Sequence, residues 1–111
     1  MEKMPINRAI EVLQGNLKEI CTVADWAKFM GYNSPKYFSR KIRNHWEIRP
    51  LPLITQIKIR KFKLLIIEDS IEFKKNYSIA KELGLKDEIA LYKYIKRNTG
   101  KSPTEWRGII G

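Results

Sequence analysis

The sequence of 111 residues predicts an all-α fold in which two helix-turn-helix units are joined by one long connecting helix. The first observation is an internal repeat, because the chain matches itself without a gap at an offset of 53 residues. The second is a motif found in both copies, an alanine four residues before a glycine, at Ala27 and Gly31 and again at Ala80 and Gly84. This spacing before a short turn is typical of a helix-turn-helix, where a small alanine lets two steeply crossing helices approach. The third is an apolar, helix-periodic stretch between the copies.

In the first unit, Thr22 and Asp25 have the spacing of a capping box and predict a helix start. Gly31 is expected to end this helix, since glycine readily takes the positive φ of a helix C-terminus. The pair Ser34-Pro35 then predicts a second helix, which runs to about Trp46, with serine as N-cap and proline in the first turn. The apolar residues expected to bury the first helix are Trp26, Ala27, Phe29 and Met30.

The connecting helix is predicted from Leu53 to Asp69, and its apolar residues are expected to be buried. Pro50 and Pro52 are expected to block helix formation before it. The segment 70–77 is expected to be a basic loop. The sequence therefore predicts three segments: residues 1–52, the N-terminal helix-turn-helix; 53–69, the connecting helix; and 70–111, the C-terminal helix-turn-helix.

The second unit repeats the signals of the first. Ser78 is expected to cap a helix that ends at Gly84, and Asp87 to cap a helix that runs to Asn98. The run S-P-T-E, which begins at Ser102, has the form of a capping box with proline at the first helical position, and predicts a short last helix through Trp106.

Charge is the strongest signal in the composition. The chain carries 22 lysines and arginines against 12 aspartates and glutamates, a net charge of +10. Residues 34–63 contain nine of the basic residues and only one acid, Glu47, which predicts a surface that attracts polyanions. A generally basic, solvated surface is the alternative. A single cysteine, Cys21, and the absence of a long apolar run or signal peptide predict a cytoplasmic protein.

The two second helices present different outward faces. In the helix from Ser34, Phe38 and Ile42 define the buried side, and the opposite side is basic. Arginine can pair bidentately with guanine, so this face favours contact with the DNA major groove. In the helix from Asp87, an outward Ile89 could touch a thymine methyl group or pack on another surface, and Glu88 would face phosphates unfavourably. The outward or flanking residues are Lys36, Ser39, Arg40 and Arg43 in the first helix and Ile89, Tyr92, Lys93 and Lys96 in the second.

These residues resemble the DNA-binding domain of the AraC/XylS family of bacterial transcription regulators. The run Y-K-Y-I-K-R-N-T-G-K-S-P-T-E-W-R, from Tyr92 to Arg107, is similar to the signature of that family. The stretch Ile57 to Ile66, I-K-I-R-K-F-K-L-L-I, resembles its connecting helix, and G-Y-N-S-P-K-Y-F-S-R-K-I resembles its first helix-turn-helix. The resemblance implies a seven-helix fold that binds promoter DNA in two successive major-groove segments. The sequence departs from the family's usual pattern at Glu47, Arg49, Phe62 and Ile89.

The resemblance also implies which residues contact DNA. Its base-contacting positions fall on Lys36, Ser39, Arg40, Ile89, Tyr92 and Lys93. The basic residues expected to contact phosphates are Arg43, Lys58, Lys61 and Lys96.

We therefore interpret the chain as a sequence-specific transcription regulator that binds double-stranded promoter DNA as a monomer, without cofactor or metal, in the nucleoid. The alternative is a protein-interaction module of the same fold that docks RNA polymerase or a sensor domain and binds DNA non-specifically. An enzyme is not expected, since the sequence lacks a glycine-rich phosphate loop, a carboxylate pair and a metal-ligand pattern. His45 is expected to be structural, beside the core face of its helix, and the thiol of Cys21 to be inert.

Overall fold

The computed structural model describes residues 3–72 and 76–110, and of residues 68–72 the backbone alone. In these residues it contains a short 3-10 helix, Ile6–Arg8, and seven α-helices, which confirms the predicted all-α class. The α-helices are α1 Ala9–Gly15, α2 Val23–Phe29, α3 Pro35–Trp46, α4 Pro50–Glu72, α5 Asn76–Glu82, α6 Glu88–Thr99 and α7 Pro103–Ile110. None of the described helices has the length and apolarity needed to cross a bilayer.

The chain divides into two compact units, Met1–Gln56 and Ile57–Gly111, with the boundary inside α4. Each unit contains one of the two helix-turn-helix copies. The predicted three-part division of the chain stays a prediction.

The turn between α2 and α3 forms as predicted. The hydroxyl of Thr22 accepts a hydrogen bond from the Asp25 amide, and the Asp25 carboxylate accepts one from the Thr22 amide, each at 3.1 Å. Gly31 has a φ of 81°, which completes the helix end without side-chain strain. The hydroxyl of Ser34 accepts from the Tyr37 amide at 3.2 Å and caps α3.

The core of the first unit is built around Trp26. Its indole N–H donates to the carbonyl of Ala9 at 3.0 Å, which ties α2 to α1. Its ring meets that of Phe38 edge-on at 5.3 Å, which ties α2 to α3. The buried apolar residues of this unit are Ala9, Leu13, Leu17, Ile20, Trp26, Ala27, Met30, Tyr32, Phe38, Ile42, Leu53 and Ile54.

The connecting helix α4 is longer than predicted. The expectation that Pro50 and Pro52 block helix formation is wrong, because both lie in the first turn. The first amide groups of a helix have no acceptor within the helix, so a proline there removes no hydrogen bond. The expected loop is also wrong at residues 70–72 and 76–77, which are helical, and its remaining residues 73–75 lie outside the described part of the chain.

The second unit has its own apolar core. Phe62, where the family pattern usually has a small residue, is fully buried in it. Ser78 lies inside α5, whose described residues start at Asn76, so the predicted cap at Ser78 is wrong. The predicted cap at Asp87 is confirmed by a 2.8 Å hydrogen bond from the Ala90 amide. The buried residues of this core are Phe62, Leu65, Ile66, Ile79, Ala80, Leu83, Leu91 and Ile95.

Helix α7 starts with the predicted capping box. The Ser102 amide donates to the Glu105 carboxylate, and the Glu105 amide donates to the Ser102 hydroxyl, both at 3.2 Å. The helix continues past Trp106 to Ile110. The indole of Trp106 is part-buried against the second core and donates to the Thr99 hydroxyl at 2.8 Å.

His45 does not have the structural place expected from the helix periodicity. Its side chain is exposed and its ring lies 4.3 Å from that of the part-buried Trp46. The buried residues of α3 end at Ile42, so the last turn of the helix extends beyond the core.

Candidate nucleic-acid interface

The outward face of α3 forms one side of a concave surface in the first unit, which we name the first groove. The start of α2 and the segment entering α4 form its other sides. Its volume is about 570 Å³. The lining residues are Val23, Lys36, Ser39, Arg40, Arg43, Arg49, Pro50, Leu51 and Pro52.

The outward face of α6 forms a matching concave surface in the second unit, which we name the second groove. Its volume is about 430 Å³, and the first residues of α5 and α7 contribute to it. The lining residues are Asn76, Glu88, Ile89, Tyr92, Lys93, Pro103 and Thr104.

The two grooves are built from the same positions of the internal repeat. Six lining residues of the first groove coincide with six of the second at the offset of 53 residues. The coinciding pairs are Val23 and Asn76, Lys36 and Ile89, Ser39 and Tyr92, Arg40 and Lys93, Pro50 and Pro103, and Leu51 and Thr104. Both copies of the helix-turn-helix therefore place the same face of their second helix in a groove.

The chemistry of the two grooves differs although their construction is the same. Four cationic side chains and no acidic one line the first groove. In the second, Lys93 is the cation and Glu88 is an acid. Its most prominent side chains are apolar or aromatic: Ile89 is 66% exposed and Tyr92 is 51% exposed. The first groove is the more attractive to a polyanion.

The residues that end α3 and α6 both have a left-handed backbone conformation. Glu47 has a φ of 59° and its amide donates to the Arg43 carbonyl at 2.8 Å. Gly100 has a φ of 83° and its amide donates to the Lys96 carbonyl at 2.9 Å. Glu47, which departs from the usual family pattern, therefore still forms a left-handed helix end.

All six residues predicted to contact bases line one of the grooves. Of the residues predicted to contact phosphates, Arg43 lines the first groove, Lys61 is part-buried on α4, and the exposed Lys96 lies 3.3 Å from the Glu105 carboxylate. Lys58 does not fit the prediction, because it is only 3% exposed and is engaged in an interaction within the protein.

Sequence reasoning missed the residues that other helices contribute to the grooves. Arg49 lies just before α4 and Leu51 in its first turn, and both line the first groove; Asn76 of α5 and Thr104 of α7 line the second. Arg49 had one available signal, since it replaces a small polar residue before a proline. Leu51, Asn76 and Thr104 could not be predicted from the sequence, because their place in a groove depends on how their helices pack beside α3 or α6.

Glu105 and Arg107, near the end of the run Tyr92–Arg107, position residues that line the second groove. The Arg107 guanidinium donates to the Asn76 side-chain oxygen at 2.7 Å, and burial lowers the pKa of Arg107 from its ordinary value. The Ser102 amide, followed by the Lys96 ammonium, lowers the pKa of Glu105. Glu105 thus fixes the start of α7, which carries Pro103 and Thr104 into the groove.

No cluster of histidine, cysteine, aspartate and glutamate that could hold a metal ion occurs among the described residues. The arrangement of both grooves is that of a binding surface, with a helix face flanked by side chains that can donate hydrogen bonds.

The chain is 30% identical over 107 residues to the raffinose operon transcriptional regulatory protein RafR of Pediococcus pentosaceus. The match covers 95% of this chain and 36% of RafR, so the chain spans about a third of that relative's length. No family model matches the chain.

Solved structures share its fold. The C-terminal domain of AraT, a response regulator from Geobacillus stearothermophilus, superposes with a TM-score of 0.79 at 25% identity, covering 98% of this chain and 88% of that one. The DNA-binding domain of AdpA, a global transcriptional factor solved in complex with a target DNA, gives 0.77 at 20% identity over 95% and 91%. A regulator from Chromobacterium violaceum, described as having an AraC-type DNA-binding domain, gives 0.74 at 16% identity over 96% and 91%.

Proposed function

We propose that this chain binds double-stranded promoter DNA sequence-specifically to regulate transcription. It has the fold of the AraC-type DNA-binding domains, which confirms the resemblance in its sequence. The observation that carries the proposal is the pair of equivalent grooves. Each has as one side the outward face of α3 or α6, which we name the reading helices. The transcriptional role of RafR and the DNA bound by AdpA agree with it.

A helix face of this kind suits the major groove of B-DNA, which is about 12 Å wide and admits one α-helix. We propose that α3 enters one major-groove segment and α6 the next, the arrangement that the family resemblance implies. Lys36, Ser39 and Arg40 would contact bases from α3, and Ile89, Tyr92 and Lys93 from α6. Arg40 is suited to a bidentate contact with guanine O6 and N7.

Phosphate contacts would hold each reading helix in register without reading sequence. We assign this role to Arg43, Lys61 and Lys96, and add Arg49 because it lines the first groove together with Arg43. Lys58 is left out because it is buried.

Selection from a random duplex library at near-physiological salt tests the proposal. Two short enriched motifs about one helical turn apart would support two reading units, and a 1:1 complex in sedimentation would support a monomer. One short motif would leave the second unit with phosphate contacts only. No enrichment would contradict sequence-specific binding and would favour an interaction module, for which RNA polymerase is the partner to test.

A further inference from the structure

We propose that the two grooves read different chemical features of DNA: the first reads guanine hydrogen-bond acceptors, and the second reads a thymine methyl group through Ile89. This inference rests on the proposed function, which requires only that the grooves bind DNA with sequence preference. It adds which base each unit selects.

The position of Ile89 carries the argument. Ile89 occupies the same place on α6 as Lys36 on α3, so the repeat puts it on the face that reads bases. Its side chain is 66% exposed, although isoleucine is among the residues most often buried. An isoleucine has no hydrogen bond to offer a base edge. The thymine C5-methyl is the apolar group that the major groove presents, so it is the feature that Ile89 can recognise.

The neighbours of Ile89 favour the same assignment. Tyr92 lies three residues further along, lines the same groove and is 51% exposed, so an aromatic ring accompanies Ile89 on the same face of α6. Glu88, beside Ile89, would repel the two acceptor atoms of a guanine facing it. Lys93 remains to approach a phosphate or an acceptor nearby. The second groove thus combines an attraction for methyl groups with discrimination against guanine.

The first groove shows the opposite distribution of polarity. Its reading helix presents Lys36, Ser39 and Arg40, while Leu51 and Val23 stand on the flanking helices. In the second groove the corresponding positions of α6 are Ile89, Tyr92 and Lys93, and the flanking helices contribute Asn76 and Thr104. With Ile89 and Tyr92 in place of Lys36 and Ser39, the second site should prefer a different base edge from the first, and the two halves of a binding site should differ in composition.

Replacement of thymine by deoxyuridine tests the proposal, because it removes one methyl group and keeps the base-pair hydrogen bonds. In the duplex selected from the random library, each thymine is replaced singly and the affinity of the full chain is measured. A methyl group buried against a side chain contributes about 0.8 kcal/mol, so we expect an affinity loss of about fourfold at one or two thymines of a single motif.

The Ile89→Ala variant assigns the effect to its residue. We expect it to bind the selected duplex several-fold more weakly and to lose the deoxyuridine penalty at one of those thymines, as required of two groups in contact. Ile109→Ala is the matched control, since Ile109 is equally apolar, 59% exposed and outside both grooves. It should retain the penalty. Both isoleucines are exposed, so neither variant should change the melting temperature measurably.

A parallel substitution separates the two grooves. 7-Deazaguanine, which lacks the N7 acceptor, should weaken binding in the other motif, and this loss should persist in Ile89→Ala and disappear in Arg40→Ala. The inference is overturned if no thymine is sensitive, or if the penalty is the same in Ile89→Ala and the unmodified chain. Either result leaves the proposed function standing when a motif was enriched, whereas failure to enrich any motif overturns both.

Discussion

Two residues in the left-handed conformation, Glu47 and Gly100, end the two reading helices at the same point of the repeat. The backbone has the same shape at both places, but a residue with a Cβ atom pays a steric penalty that glycine does not. This penalty at Glu47 falls in the turn that leads to Arg49 and Pro50, which line the first groove. The first groove is thus formed next to a locally unfavourable residue.

Exchanging these residues should change stability in opposite directions. We expect Glu47→Gly to raise the free energy of unfolding by about 1 kcal/mol, and Gly100→Ala to lower it by a similar amount. Nothing lies within 4 Å of a Cβ placed on Gly100, so the effect there is conformational rather than a collision. Urea denaturation measures both changes. Gly15→Ala is the control, because Gly15 is helical and equally open, and it should stabilise.

Arg40 is the residue whose removal should change specificity most clearly. We expect Arg40→Ala to reduce the affinity for the selected duplex by about 1–3 kcal/mol and to relax the preference at one base pair. Titration against the selected duplex and its single-base variants measures both. Arg97→Ala removes an exposed arginine that lines neither groove. Unchanged base preference in Arg40→Ala would show that Arg40 does not contact a base.

At the scale of helices, the sequence predicted the starts of α2, α3, α6 and α7 because their caps are local. A serine, threonine or aspartate followed by the right partner three residues later forms its hydrogen bonds within one turn. The start of α4 was missed for a complementary reason. Proline forbids a helix interior but not a first turn, and only the surrounding structure decides which of the two Pro50 and Pro52 occupy.

Burial and exposure were predictable where a helix face is continuous and not where a neighbouring element decides. The core residues Phe38, Ile42, Leu91 and Ile95 follow from periodicity within one helix. The burial of Lys58 and the exposure of His45 do not, since each depends on what packs beside the helix. The grooves were predicted only in part for the same reason. The outward faces of α3 and α6 follow from helix periodicity, but the residues that other helices contribute do not.

The two capping carboxylates should make stability depend on pH. Hydrogen bonds from the Cys21 and Thr22 amides lower the pKa of Asp25, and the Ser102 amide with the Lys96 ammonium lowers that of Glu105. A carboxyl with a lower pKa in the folded state binds fewer protons there than when unfolded. Its contribution is therefore complete above the unfolded pKa and is lost as the pH falls through the folded value.

We expect the free energy of unfolding to fall between about pH 5 and about pH 3, and to fall less in the variant Asp25→Asn with Glu105→Gln. Both variants keep a side-chain oxygen that can accept the capping hydrogen bond. Thermal denaturation across this range measures the difference. Glu19→Gln removes one exposed acid outside the caps and serves as the control. An identical slope in the double variant and the control would contradict a role for the caps.

At the scale of the whole molecule, one supersecondary unit is used twice with its surface chemistry changed. The turn glycines Gly31 and Gly84, the helix ends at Glu47 and Gly100 and the groove positions all repeat, while the charges on the reading helices do not. Repetition preserves what the backbone needs, and the exposed positions are free to diverge. The net charge of +10 is accordingly concentrated, with nine cations and one acid in residues 34–63.

This concentration predicts how salt should act on the complex. Each phosphate neutralised releases counterions, so the logarithm of the affinity should fall linearly with the logarithm of salt concentration, by about 0.9 per contact. We expect Lys61→Gln to flatten this slope by about 1 and to weaken selected and unrelated duplexes equally, since phosphates carry no sequence information.

Lys58→Gln is the matched comparison, because Lys58 lies on the same helix as Lys61 and is buried. It should leave the slope unchanged even where it lowers stability, so affinity is measured well below its melting temperature. Ile89→Ala should also leave the slope unchanged, because a methyl contact releases no counterion, while it weakens the selected duplex more than an unrelated one. A slope that changes in Lys58→Gln and not in Lys61→Gln would contradict the assignment of the phosphate contact to Lys61. It would assign that contact to Lys58, whose side chain would then have to leave its buried position. Salt dependence is thereby assigned to the residues that contact phosphates, and sequence dependence to the residues of α3 and α6 that contact bases.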